Sequence, residues 1–131
     1  MSAPPEGFVP LEAQGLNIVP RLGHDSLHIV VSGTVEMRDP GELLNPYWDR
    51  INGEVIKRHL KRVEVDLREL DFMNSSGILT LVRWIARVRT QPAESAYQIL
   101  IRHDRNVTWQ RTNVPVLAKL APSVVLVADE P

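Results

Sequence analysis

Apolar and polar residues alternate along the chain with two different periods, and the switches between them mark the elements. Residues 27–32, Leu-His-Ile-Val-Val-Ser, are β-branched and apolar, as a strand requires. Residues 16–19, with Arg21 and Leu22 beyond, predict an edge strand, because Pro20 lacks the N–H that a sheet interior needs. The turn at 23–26 joins the two as a hairpin. A polar stretch covers 33–45, and two helix starts then compete. Asp39, Pro40 and Glu42 form a capping box with proline at the first helical position, while Asn45 and Pro46 offer a second cap. Tyr47, Trp48, Ile51, Val55 and Leu60 recur at helical spacing opposite Asp49, Arg50, Glu54, Lys57 and Arg58. That pattern favours a helix over 46–60 and leaves 39–44 as a separate turn.

Residues 62–68 alternate strictly, Val63, Val65 and Leu67 against Glu64 and Asp66, and predict a strand followed by a loop at 69–74. From 75 to 89, Ile78, Leu81, Val82, Ile85 and Val88 make one apolar helical face, with Arg83 and Arg87 opposite. Further strands are predicted at 97–101 and 123–127. Between them 107–120 is helical, in two pieces or with a late start, since Pro115 inside a helix costs about 3 kcal/mol. Pro4, Pro5, Gly7 and Pro10 punctuate a segment without period, so residues 1–14 are expected to be a flexible arm and 15–131 a single domain. The order β-β-α-β-α-β-α-β predicts an α/β fold with a mixed, mostly parallel sheet of four to five strands.

The 131 residues, 44% hydrophobic and 24% charged, suit one moderate core. A formal net charge of -1 gives no broad footprint for nucleic acid and no attraction to an anionic membrane. With no cysteine, disulfides, thiolate metal sites and cysteine nucleophiles are excluded, which fits a cytoplasmic protein. The N-terminus has no apolar run of the signal-peptide kind, and no stretch reaches the length of a membrane span. His24, His28, His59 and His103 fall at no metal-ligand spacing, and no cofactor motif is present. A general base and a nucleophile are equally hard to identify, so no enzymatic activity is expected.

One junction stands apart. In an alternating fold, sites form where strand C-termini lead into helix N-termini, and Asn74, Ser75, Ser76 and Gly77 lie at such a place. Asn and Ser are preferred caps, and Gly77 is a poor helix former whose use suggests a close approach to the backbone. A hydroxyl at a helix N-terminus is also a good acceptor for a phosphate, because the dipole and free N–H groups favour negative charge. The plain alternative is that Ser75 is only a cap. The segment from Lys61 to Ile78, with its basic pair, Val-rich strand ending in Asp66 and Leu67, and Asn74-Ser75-Ser76-Gly77-Ile78, resembles the signature of STAS domains of the bacterial anti-sigma-factor antagonists. Ser32-Gly33-Thr34-Val35-Glu36 is similar to a Gly-Glu-Leu-Asp segment of that family, and 114–127 to its last helix and strand.

The resemblance implies a STAS-type sheet and a phosphoacceptor at Ser75, with Glu36, Asp66, Asn74, Ser76 and Gly77 as the motif around it. It implies as partners an anti-sigma-factor serine kinase or related regulator, which binds the unphosphorylated form, and a protein phosphatase that resets the switch. Asn74 and Glu36 stand where the family has aspartates. Arg83, Trp84 and Arg87 are candidates for a partner surface, since Trp and Arg are enriched in binding hot spots; the alternative is a solvated basic face with a partly packed Trp. A second functional reading, a non-phosphorylated structural STAS subunit of a cytoplasmic or transporter-associated complex, stays open, as does the oligomeric state.

Overall fold

The computed structural model describes residues 7–129. Nine regular elements follow one another: β1 (Leu11–Ala13), β2 (Leu16–Leu22), β3 (Ser26–Val35), α1 (Pro40–Lys57), β4 (Arg62–Met73), α2 (Ser75–Arg89), β5 (Gln98–His103), α3 (Thr108–Leu120) and β6 (Val125–Asp129), with a single 3-10 turn at Ala93–Ser95. They build one six-stranded sheet in the order β1-β2-β3-β4-β5-β6, antiparallel from β1 to β3 and parallel from β3 to β6. Each parallel crossover steps one strand further in the same direction, so right-handed connections carry α1, α2 and α3 to one face. Val63, Val65 and Leu67 of β4 pack into the core on that face. His28, Glu64, Asp66, Arg68 and Arg102 alternate with the core residues on the other, where they line a cleft of about 240 Å³. No described helix is long and apolar enough to cross a membrane.

The sheet has one strand more than the four to five expected, and the extra strand comes out of the expected arm. Leu11–Ala13 pairs with Leu16–Ile18 through a turn with positive φ at Gln14 and Gly15, and Phe8 is fully buried with the Arg58 guanidinium 5.2 Å from its ring centroid. The arm over 1–14 is therefore corrected from Gly7 onward; its remaining part, with Pro4 and Pro5, lies outside the described residues. The added strand also places β2 inside the sheet despite Pro20. The Gly23 N–H bonds Ser26 O and the Thr34 N–H bonds Gly15 O, which fixes the odd-numbered residues of β2 as those bonded to β3. The Pro20 nitrogen then faces away from β3, beyond the end of β1, where no N–H is needed.

Several boundaries differ from the periodic reading. The first helix takes the earlier start, with Asp39 at its cap position, though without a side-chain cap bond, and Pro40 leading, so 40–44 is helical and Pro46 lies inside. Pro46 removes the bond to the Glu42 carbonyl, but both residues are exposed and water can replace it. That helix stops at Lys57 rather than Leu60, because His59 takes a positive φ of 56°. Pro115 is carried in the same way inside a single α3, its freed Arg111 carbonyl on the solvent side. The largest difference is β4, which runs through the expected loop 69–74 as far as Met73. Its register against β3 shifts twice, between Val30 and Ser32 and between Gly33 and Thr34, and each bulge breaks the period of two that marks a strand.

The centre of the helix layer is aromatic. Trp48 of α1 and Trp84 of α2 stack at 4.8 Å with their planes 5° apart, and Tyr47 meets Trp48 edge-on. A buried polar chain satisfies their heteroatoms. Trp48 Nε1 donates to Thr80 Oγ1 at 3.1 Å, and Thr80 in turn donates to the Gly77 carbonyl at 2.7 Å. Trp84 Nε1 donates to Tyr97 Oη at 2.9 Å, and Tyr97 donates to Asn52 Oδ1 at 2.7 Å.

Candidate functional site

β3 and β4 are parallel neighbours, so their C-terminal ends lie side by side and the helices that follow both begin at the same edge of the sheet. Asn74 is the residue between β4 and α2. Its backbone N–H donates to Val35 O at 3.0 Å, its Oδ1 accepts from the Gly77 N–H at 2.9 Å, and its Nδ2 donates to Met37 O at 3.0 Å. The cap is thus Asn74 and not Ser75. Ser75 and Ser76 occupy the first two helical positions with both residues exposed. A phosphate on Ser75 would meet first-turn N–H groups and the positive end of a helix that runs to Arg89.

Gly77 has a reason other than access for a partner. An added Cβ would lie 2.9 Å from Val35 Cγ1 and 2.9 Å from Met73 Cγ, so the close approach is made by the chain's own side chains. Leu79, one helical turn beyond Ser75, is 63% exposed, and Phe72, three residues before Ser75 on β4, is 43% exposed and alternates with the buried Met73. Ser76, Leu79, Thr80 and Arg83 form one wall of a cleft of about 370 Å³ whose other wall is Arg38 to Glu42 and Asn45 at the start of α1.

The remaining motif residues separate. Glu36 follows the strand end that bonds Asn74; it is exposed and accepts from Thr34 Oγ1 at 3.2 Å. Asp66 is not beside Ser75. It precedes Met73 by seven positions on β4, about 20 Å of strand even with its bulges, and its carboxylate is held by Arg68 at 2.8 Å on the open face of the sheet. Burial raises the Asp66 carboxyl, but the Arg68 hydrogen bonds and the charges of Arg68 and Arg102 outweigh it and leave a net downward shift.

The expected partner surface also divides. Trp84 is 2% exposed and belongs to the core stack, because a residue beside the polar stripe of an amphipathic helix can still fall at the boundary that a neighbouring helix covers. Arg83 and Arg87 do face outward, yet both close onto Asp49 of α1, at 3.0 and 2.8 Å. The Arg83 hydrogen bond holds the Asp49 carboxyl below the usual carboxylate range. Sequence reading missed Phe72, Leu79, Thr80 and the Met37 carbonyl. Leu79 did carry a signal, as a leucine off the apolar stripe of its helix. Thr80 and Met37 carried none, since their roles depend on which helix and turn lie opposite.

No family model matches this sequence. Among curated proteins, it is 32% identical over 108 residues to the asparagine–tRNA ligase of Vibrio cholerae serotype O1, a stretch that is 82% of this chain and 22% of that ligase. The chain therefore spans well under two thirds of the curated relative it matches, whose name describes the longer protein. Among solved structures, the crystal structure of an anti-sigma factor antagonist from Mycobacterium paratuberculosis has a TM-score of 0.58 at 17% sequence identity, covering 88% of this chain and 90% of that one.

Proposed function

We propose that this chain, which has the fold of an anti-sigma factor antagonist, works as a partner-switching protein whose binding is set by phosphorylation of Ser75. The observation that carries the reading is the exposed Ser75 at the first position of α2, beyond the Asn74 cap and one helical turn from the exposed Leu79. The partner is an anti-sigma-type serine kinase or a related regulator that docks on the unmodified surface, and a protein phosphatase resets it. The helix N-terminus favours the added charge by roughly 0.3–1 kcal/mol, so the fold tolerates it. A partner that covers the same surface with no compensating cation faces a buried unpaired charge that costs several kcal/mol. A loss of about 2.7 kcal/mol is a hundredfold in affinity, enough for release.

The test compares native, Ser75→Ala and Ser75→Glu proteins as baits, with mass spectrometry of Ser75 and calorimetry on the partner recovered. Ser75→Ala should hold its partner and resist switching. Ser75→Glu and phosphorylated protein should stay folded and bind about a hundredfold more weakly. Equal affinities for the Ala and phosphorylated forms would end the reading and leave a structural subunit in which Ser75 is an ordinary first-turn residue.

A further inference from the structure

We infer that Asn74 is a positioning residue that pins the turn between β3 and α1 to the start of α2, and that it can do so only as a neutral amide. Its functional weight rests on the Ser75 reading above. Asn74 is the one described residue whose side chain bonds both segments: Oδ1 takes the Gly77 N–H at 2.9 Å, and Nδ2 gives a hydrogen to Met37 O at 3.0 Å. Its backbone N–H adds the bond to Val35 O at 3.0 Å, and Val35 Cγ1 lies against the Gly77 position. Residues 36 and 37 are thereby fixed relative to Ser75, and Arg38 and Asp39 follow directly into the cleft that Ser76 also lines. A partner that docks over Ser75 reads a surface made of two segments nearly forty residues apart in sequence, and Asn74 sets their relation.

The chemistry of the side chain is specific. Aspartate has only acceptors, so it can cap Gly77 but has no hydrogen for Met37 O, and it would set a carboxylate against that carbonyl. Serine can cap as well, and it is too short to serve the carbonyl at the same time. Asparagine alone among good caps supplies one acceptor and one donor in the needed directions. It also brings no charge next to Ser75, so the pin survives when that hydroxyl becomes a dianion.

Hydrogen exchange by NMR on the partner-free, unmodified chain separates these roles, and its result is independent of whether a kinase acts on Ser75. In Asn74→Asp and Asn74→Ser, the Glu42 amide, whose bond to Asp39 O reports on the turn, should exchange roughly tenfold faster, the equivalent of one lost hydrogen bond. The Gly77 amide and the β4 core should keep their protection. In Ser75→Glu the turn should remain protected, and in the double variant Asn74→Asp, Ser75→Glu it should be released. Unchanged exchange in the turn of Asn74→Asp and Asn74→Ser would overturn the pin. Equal loss at Gly77 and the turn would reduce Asn74 to a cap, a turn that stays protected in Asn74→Asp would overturn the requirement for a neutral amide, and a turn that loosens in Ser75→Glu alone would overturn the pin's survival beside a charge.

Discussion

Replacing Tyr97 by Phe removes one oxygen atom from the middle of the helix layer, and the structure says what that atom does. Tyr97 is 4% exposed, and burial keeps its phenol well above its usual pKa, so it is neutral and serves as both acceptor and donor. It accepts from Trp84 Nε1 at 2.9 Å and donates to Asn52 Oδ1 at 2.7 Å. Trp84 and Asn52 are each 2% exposed, so water does not reach them to replace the lost partner. Asn52 keeps its other bond, from Nδ2 to Gln91 Oε1 at 2.7 Å. Two buried polar atoms are orphaned, each at roughly 1–3 kcal/mol, and the hydroxyl's own desolvation is recovered; the net loss should be about 2–4 kcal/mol. In a domain stable by only about 5–15 kcal/mol, that is a large share. Urea unfolding followed by tryptophan fluorescence should show a lower midpoint with an unchanged slope. Tyr47→Phe is the control: its hydroxyl donates to a single part-buried carbonyl, Val9 O at 2.8 Å, and its loss should cost about 1 kcal/mol. If Tyr97→Phe costs no more than Tyr47→Phe, the polar chain between the helices is not a stabilising feature.

Gly77→Ala should destabilise by about 1 kcal/mol, because contacts at 2.9 Å to Val35 and Met73 impose roughly 1–3 kcal/mol of overpacking against a helix-propensity gain of about 1 kcal/mol. A net gain in the denaturation midpoint would show that α2 can move off the sheet freely. The downward-shifted Asp66 carboxyl contributes stability that is present above the unfolded carboxylate value, about 3.9, and is lost as pH falls through its lower folded value. Asp66→Asn should therefore be less stable than the native chain at pH 7 and lose that deficit on acidification to about pH 2; a difference independent of pH would refute the assignment.

What the sequence made legible follows from where two signals are strong. The alternation of 62–68 and the apolar stripe of 75–89 are long periodic runs, and both elements are present, with Val63, Val65 and Leu67 and with Leu81, Ile85 and Val88 buried as expected. The β-branched run at 27–32 was equally plain and forms the body of β3. The misses share a cause, which is tertiary context overriding a local rule. Pro46 and Pro115 look like helix breakers until the freed carbonyls prove to be on the solvent side. The stretch 69–73 looks like a loop because two bulges interrupt its alternation, yet β3 is there to pair with it. Leu11–Ala13 is too short and too close to prolines to register as a strand without β2 beside it. Trp84 between Arg83 and Arg87 looks like part of a basic surface, and only the position of Trp48 on another helix places its ring in the core.

The electrostatics of the candidate site follow from the same topology. Asp66 and Ser75 are near in sequence, and a motif-level view groups them. A strand converts nine residues into distance more effectively than any other element, and about 20 Å is twice the screening length of roughly 8–10 Å in physiological salt. A charge placed on Ser75 is therefore nearly blind to Asp66. The groups that share its edge of the sheet come instead from the turn after β3 and from the first turn of α1: Glu36, Arg38, Asp39 and Glu42, with Arg83 across the cleft already committed to Asp49. Changes to Arg38 or Asp39 should thus alter the response to a charge at Ser75 more than any change to Asp66. If Ser75 is the switch proposed above, the residues that would tune it lie on the parallel neighbour strand's connection, more than thirty positions upstream of Ser75.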